Sequence, residues 1–273
     1  MRIFVHRPIA MLDSGVGGLT VAKEVMRQLP QERIIYFGDT ARAPYGPRSA
    51  EEVLRFTRQI VQYLLRFHPK MIVIACNTAT AMALDTIKAE VDVPVVGVIH
   101  PGARAAIKAT KTGIVGVIGT EGTIQSGAYE TALKQLFPDI QVASLACPQF
   151  VPLVEQGLFH DKIAHKIVSQ TLSPLKKVPI DCLILGCTHY PFLAKVISEV
   201  MGPDVTLISS AEETAVEISA ILAHHQQLAN VRKKPAHRFF CSGDPFMFQT
   251  IAQKWLDEKI SVRSTEWKVS NIG

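Results

Sequence analysis

The chain has 273 residues, 48% of them hydrophobic, and 29 Lys and Arg against 24 Asp and Glu give it a net charge of +5. That is enough apolar material for one large core or two modest ones, and the charge is spread thinly, without the basic block of a nucleic-acid arm. No stretch approaches the ~18 apolar residues of a membrane span, and the run that opens MRIFVHRPIAMLDSG is broken by His6, Arg7 and Pro8 before it reaches signal-peptide length. The five cysteines, Cys76, Cys147, Cys182, Cys187 and Cys241, are an odd set without the dense spacing of a disulfide-stapled domain. A cytoplasmic protein is expected, with no membrane and no nucleic-acid partner.

In chain order, short runs of Val, Ile and Leu alternate with helix-like segments: IAML (9–12), RIIYF (33–37), MIVIA (71–75), VPVVGVI (93–99), GIVGVIG (113–119), CLILG (182–186) and VTLI (205–208). Continuous apolar runs of this length are what strands buried on both faces require, and their alternation with helices predicts βα units in parallel sheets. The class is α/β. In such sheets ligands gather beyond the C-terminal strand ends, so the residues after each run are the candidates for function.

After the first run, Asp13-Ser14-Gly15-Val16-Gly17-Gly18 has the glycines and the following helix of an anion site. It serves equally as a tight turn with Ser14 as helix cap. Its GxGG spacing is neither the GxGxxG dinucleotide fingerprint nor a P-loop. The segment from Tyr36 through Asp39 and Arg42 to Tyr45 and Gly46 is a polar, turn-rich loop that fits a binding or a connecting role. Cys76-Asn77-Thr78 and Cys187-Thr188-His189 each stand where a strand gives way to a predicted helix, whose dipole favours thiolate over thiol. Either cysteine alone would pass for a small buried residue. His189 could move protons at the same strand tip. By sequence alone Glu155 reads as a surface helix charge, and His100, at the tip of the 93–99 run, is ambiguous.

The two cysteine segments also resemble each other as a weak internal repeat. IVIACNTATAMAL matches CLILGCTHYPFL, with Cys76 and Cys187 separated by 111 residues, and IAMLDSGVGGLTVAKE matches VGVIGTEGTIQSGAYE, setting Asp13 and Ser14 against Gly119 and Thr120. With VPVVGVIHPGARAA against DVTLISSAEETAVE, three aligned strand-turn-helix elements suggest a duplicated half. The second half is complete by about residue 206, after which RFFCSGDPFMF (238–248) supplies a further strand and helix for the first. Residues 1–98 with 207–273 are expected to form one domain and 99–206 the other.

DSGVGGLT, YFGDTARAPYG, ACNTATA, PGARAA, FVPLVEQG and GCTHYP occur in this order, and on these six segments the chain strongly resembles glutamate racemases of the bacterial cell-wall pathway, within the aspartate/glutamate racemase superfamily. The resemblance implies two similar α/β domains related by pseudo-twofold symmetry with the active site between them. It also implies cofactor-independent conversion of L-glutamate to D-glutamate for peptidoglycan, no metal, and a homodimer. It makes Cys76 and Cys187 the two acid/base residues, Cys76 toward D-glutamate and Cys187 toward L-glutamate, with Asp13 and His189 assisting and Glu155 a further carboxylate. Substrate contacts would fall to Asp13, Ser14, Tyr45, Gly46, Asn77, Thr78, Thr188 and His189. The residue types leave room for other readings: a Cys2His zinc hydrolase, a pyridoxal phosphate racemase with a lysine Schiff base, a two-domain binding protein, and a racemase for aspartate.

Overall fold

The computed structural model describes residues 5–158, 162–230, 235–257 and 260–265; the first four residues of the N-terminal run lie outside this set. Two all-parallel sheets organise it. The chain begins with β1 (Ile9–Asp13), α1 (Leu19–Gln28), β2 (Ile34–Gly38), α2 (Ala50–Leu65), β3 (Met71–Ile74), α3 (Asn77–Glu90), β4 (Val95–Gly97) and α4 (Ile99–Ala109). Next come β5 (Ile114–Gly119), α5 (Glu121–Gln125), α6 (Ala128–Leu136), β6 (Gln141–Ala146), α7 (Phe150–Glu155), α8 (Lys162–Leu172), β7 (Cys182–Gly186), α9 (Ala194–Met201) and β8 (Thr206–Ile208). The chain then adds α10 (Ser210–His224), β9 (Arg238–Cys241), α11 (Pro245–Leu256) and β10 (Val262–Ser264).

The first sheet has strand order β10-β9-β2-β1-β3-β4 and the second β6-β5-β7-β8. The order β2-β1-β3-β4 is repeated as β6-β5-β7-β8, which gives the internal sequence repeat a structural counterpart. Alternation along the strands explains why each sheet is covered on both faces. Ile9, Met11, Ile34, Tyr36, Met71 and Val73 face one core with α1, α10 and α11. Ala10, Leu12, Ile35, Phe37, Ile72 and Ile74 face another with α2 and α3. In the second sheet Ile118, Leu183 and Leu185 pack under α7, α8 and α9, while Val115, Val117 and Ile184 pack under α4 and α6. Helix α2 starts with a reciprocal capping box between Ser49 and Glu52, and α11 with Asp244, whose carboxylate accepts from the amides of Phe246 and Met247.

Several boundaries differ from the sequence reading. The strand expected over 71–75 ends at Ile74, which leaves Cys76 to cap α3. Of the 93–99 run only Val95–Gly97 is strand; α4 begins at Ile99, so His100 lies in its first turn, exposed, rather than at a strand tip. Ser14 does not cap α1, whose N-cap is Gly18 without a side-chain bond. Strand β6 is an edge strand with a half-exposed QVASLA sequence and β10 is three residues long, so neither shows a continuous apolar run. Strand β8 carries the second sheet to Ile208, two residues past the expected return of the chain. Among the described residues no helix is long and apolar enough to cross a membrane.

The return to the first sheet is anchored by a buried ion pair at the entrances of β2 and β3. Lys70 Nζ lies 2.6 Å from Glu32 Oε2 and donates to the carbonyls of Val5 and Gln227, while Glu32 Oε1 accepts from the amide of Ala229. Removing one partner of a buried pair strands the other charge. Lys70→Ala should therefore lower unfolding stability by about 3–5 kcal/mol, seen as a lower urea midpoint at unchanged slope; an unmoved midpoint would contradict this account.

Candidate active site

The C-terminal ends of the central strands in both sheets converge on one enclosed cavity. Strand β1 delivers Asp13 and Ser14, β3 leads to Cys76, Asn77 and Thr78, β5 to Thr120, and β7 to Cys187, Thr188 and His189. Ser14, Tyr45, Gly46, Cys76, Asn77, Thr78, Cys187, Thr188, His189 and Glu155 all line it. Asp13, fully buried, lies directly behind: its carboxylate accepts from the amide of Gly15 at 2.9 Å and from the Thr188 hydroxyl at 3.4 Å. The volume, about 20 Å³, is room for one water molecule. A wider cavity of about 370 Å³ adjoins it, sharing Gly15, Ala43, Pro44 and Glu155, and reaches α11.

Glycine at position 17 sets how closely the two halves approach. A Cβ there would lie 2.3 Å from Thr188 Oγ1 and 2.6 Å from His189 Nδ1. The GVGG segment is thus a close-contact turn against the Cys187 loop. The polar loop after β2 is held by Asp39, fully buried, which accepts from Tyr45 OH, from Arg42 Nε at 2.7 Å and from Ser242 Oγ at 2.7 Å. Gly46 crosses between halves by accepting the amide of Gly122 at 3.0 Å. Thr78 Oγ1 meets Thr120 Oγ1 at 2.9 Å and Thr123 Oγ1 at 3.2 Å, a second link across the same seam.

The two thiols have different surroundings. Cys76 Sγ accepts from the amide of Ala79 at 3.5 Å and its thiol donates to Ser14 Oγ at 3.7 Å. Burial, reinforced by the Asp13 carboxylate, pushes its pKa up to about 12. The helix N-terminus was expected to favour thiolate; one long amide contact does not offset desolvation here. Cys187 Sγ lies 3.9 Å from His189 Nδ1. The 3-10 turn Tyr190–Leu193 leads from it directly into α9, so the expected helix begins at Ala194 rather than at the thiol.

His189 Nε2 sits 3.3 Å from Glu155 Oε1, at ion-pair distance but outside hydrogen-bond alignment. Burial alone would hold the imidazole neutral, but contact with Cys187 and Glu155 and the charge of Asp13 outweigh it and push the pKa up to about 10. Burial likewise raises Asp13, against the pull of His189 and the amides of Gly18 and Gly15. Glu155, a surface charge by sequence, is half exposed at the end of α7, on the rim shared by both cavities.

Thr120, Val151, Ala43 and Pro44 also line the cavity and were not among the sequence candidates. Thr120 was legible in principle, since the repeat aligns it with Ser14. His100 is not at this site; it lines a separate cavity with Asp85 and Gln135. Among the described residues no three His, Cys, Asp or Glu side chains form a metal-ligating group, so Cys76, Cys187 and His189 do not make the Cys2His set.

The model of the Asp/Glu/hydantoin racemase family matches residues 19–218. A glutamate racemase of Bacillus cereus is 56% identical over 256 residues, 94% of this chain and 95% of that protein. The crystal structure of glutamate racemase isoform RacE1 from Bacillus anthracis superposes with a TM-score of 0.94 at 53% identity, covering 96% of this chain and 98% of that one. Glutamate racemase from Francisella tularensis, solved in complex with D-glutamate, gives a TM-score of 0.90 at 34% identity with the same coverage. This fold and these relatives place the protein among the racemases, isomerases that act on amino acids. The chain belongs to the Asp/Glu/hydantoin racemase family.

Because folding raises the His189 pKa above the 6.5 of a free imidazole, its charge contributes stability in full below pH 6.5 and loses it as pH rises through about 10. Glu155→Gln removes one source of that rise and should move the His189 midpoint in an NMR titration to lower pH. An unmoved midpoint would show that the half-exposed carboxylate does not act on the ring.

Proposed function

We propose that the protein interconverts L- and D-glutamate without a cofactor, using Cys76 and Cys187 as two bases on opposite faces of the α-carbon. The observation that carries this is the placement of two buried thiols, each just beyond a central strand at equivalent positions of two repeated sheets, on the walls of one cavity. Glutamate as substrate rests on the relatives, among them the Francisella tularensis enzyme solved with D-glutamate.

One thiolate takes the α-proton while the C–H electron pair passes to the α-carbon and its carboxylate. The opposite thiol gives its proton to the other face and keeps its electron pair on sulfur. The enzyme ends each turnover with the protonation states of the two cysteines exchanged, so the pair titrates as a unit. Protonated His189 counterbalances charge that develops on Cys187, the base we assign to L-glutamate, and Glu155 supports that proton on His189. Asp13 and Ser14 flank Cys76, the base assigned to D-glutamate. Asn77, Thr78, Thr188, Tyr45 and Gly46, with Thr120, supply hydroxyl, amide and backbone groups for the substrate's charged ends.

A cavity of about 20 Å³ does not hold glutamate, so binding requires the seam between the halves to part, with the adjoining 370 Å³ space as the way in. Reclosure would exclude water and strengthen every charge contact inside. The moving units are the proposed domains, 99–206 extended to Ile208 by β8, and 1–98 with the remainder of the chain. Supply of D-glutamate to peptidoglycan, a cytoplasmic location and a homodimer complete the proposal on family likeness.

Cys76→Ala and Cys187→Ala should each reduce racemisation in both directions by about 10²–10⁴-fold, the usual contribution of a positioned acid or base, followed by circular dichroism of the substrate. Full activity of either variant in both directions would refute the two-base reading.

A further inference from the structure

Tyr129 takes no part in the chemistry proposed above, yet its hydroxyl bonds to a residue of the cavity wall. It projects from α6 in the second half and donates to Asn77 Oδ1 at 2.7 Å, across the seam and 52 residues away in sequence. Both side chains are buried, Tyr129 at 2% and Asn77 at 3% exposure. The Ser210 hydroxyl, from the start of α10, reaches the same phenol oxygen, and burial keeps the phenol protonated. The ring is held from beneath by a backbone without a side chain: a Cβ on Gly186, the residue before Cys187, would come within 3.0 Å of Tyr129 Cε2.

These contacts fix one end of an amide whose other end is unused. With the phenol donating, Asn77 must present its carbonyl oxygen to Tyr129, which leaves Nδ2 on the opposite side. Asn77 Nδ2 is buried and has no hydrogen-bond partner among the described residues, and Asn77 lines the cavity. A buried donor left unpaired is costly, and that cost is recovered when a ligand oxygen fills the position. Rotating the amide would turn an acceptor toward the substrate's carboxylate and replace attraction by repulsion.

We infer that Tyr129 is a positioning residue, which locks the Asn77 amide so that its N–H faces a substrate carboxylate. The inference rests on reading the cavity as the glutamate site. It ties substrate binding to closure, because lock and amide come from different halves.

Steady-state kinetics with L- and D-glutamate on Tyr129→Phe, Asn77→Ala and the double variant test it. Tyr129→Phe keeps the ring against Gly186, so the thermal midpoint should stay near wild type. KM should rise about tenfold, the loss of one hydrogen bond to a charged group, with kcat within about twofold, because the contact is made in ground and transition states alike. Asn77→Ala should raise KM at least as much, and adding Tyr129→Phe to it should change nothing further. An unchanged KM in Tyr129→Phe, or additive effects in the double variant, would overturn the inference. An unchanged KM in Asn77→Ala would instead remove Asn77 from the substrate site, and the inference with it. If Tyr129→Phe fails to fold, Ser210→Ala serves in its place: a KM rise that vanishes in the Asn77→Ala background supports the lock, and an unchanged or additive KM refutes it.

Discussion

Withdrawal of ionisable groups from water is the constraint on which the rest of this structure depends. Cys76, Asp13 and His189 are all buried, and burial pushes each toward its neutral form. Only His189 escapes that push, because Cys187, Glu155 and Asp13 surround it with more negative character than burial can offset. Charge in the cavity is therefore set by neighbours rather than by solvent, and moving one proton alters the balance at every other group. Such coupling suits a reaction in which a proton leaves one sulfur's side of a carbon and another arrives from the opposite side.

The fold supplies that arrangement by repetition. A parallel strand ends where the chain must turn, and turns at the C-terminal ends of neighbouring strands open toward the same space. Repeating β2-β1-β3-β4 as β6-β5-β7-β8 produces two such ends, with Asp13 and Cys76 on one side and Thr120 and Cys187 on the other. Beside the cavity the halves are linked by the Thr78–Thr120 pair, the Gly122–Gly46 backbone bond and the Tyr129–Asn77 bond, and away from it by the stacked Phe192 and Trp255 rings and the Arg104–Glu217 ion pair. Gly17, packed on Thr188 and His189, allows the close approach.

Much of this was legible in the residues. Strands β1, β2, β3, β5 and β7 are buried on both faces, so their sequences read as unbroken apolar runs, and the cysteine repeat pointed to equivalent positions. What escaped depended on surroundings that local sequence does not carry. The edge strand β6 is half exposed and β10 is short, so neither shows a run. The helix after Cys76 suggested an easily ionised thiol, whereas the measure that matters is desolvation by residues from both halves. Glu155 looked like a surface charge because its partner, His189, is brought to it only by folding. Tyr129 could not be linked to Asn77 without the fold, since nothing local marks a tyrosine whose hydrogen-bond partner lies in the other half.

The central claim is that two different groups handle the proton on the two faces of one carbon. Racemisation of L-glutamate in deuterium oxide, followed by NMR at low conversion, tests it most directly. Two bases predict that newly formed D-glutamate carries deuterium at the α-carbon while the remaining L-glutamate keeps its proton, with the mirror result starting from D-glutamate. Product that retains the original proton, or substrate that exchanges as fast as product forms, would contradict the account.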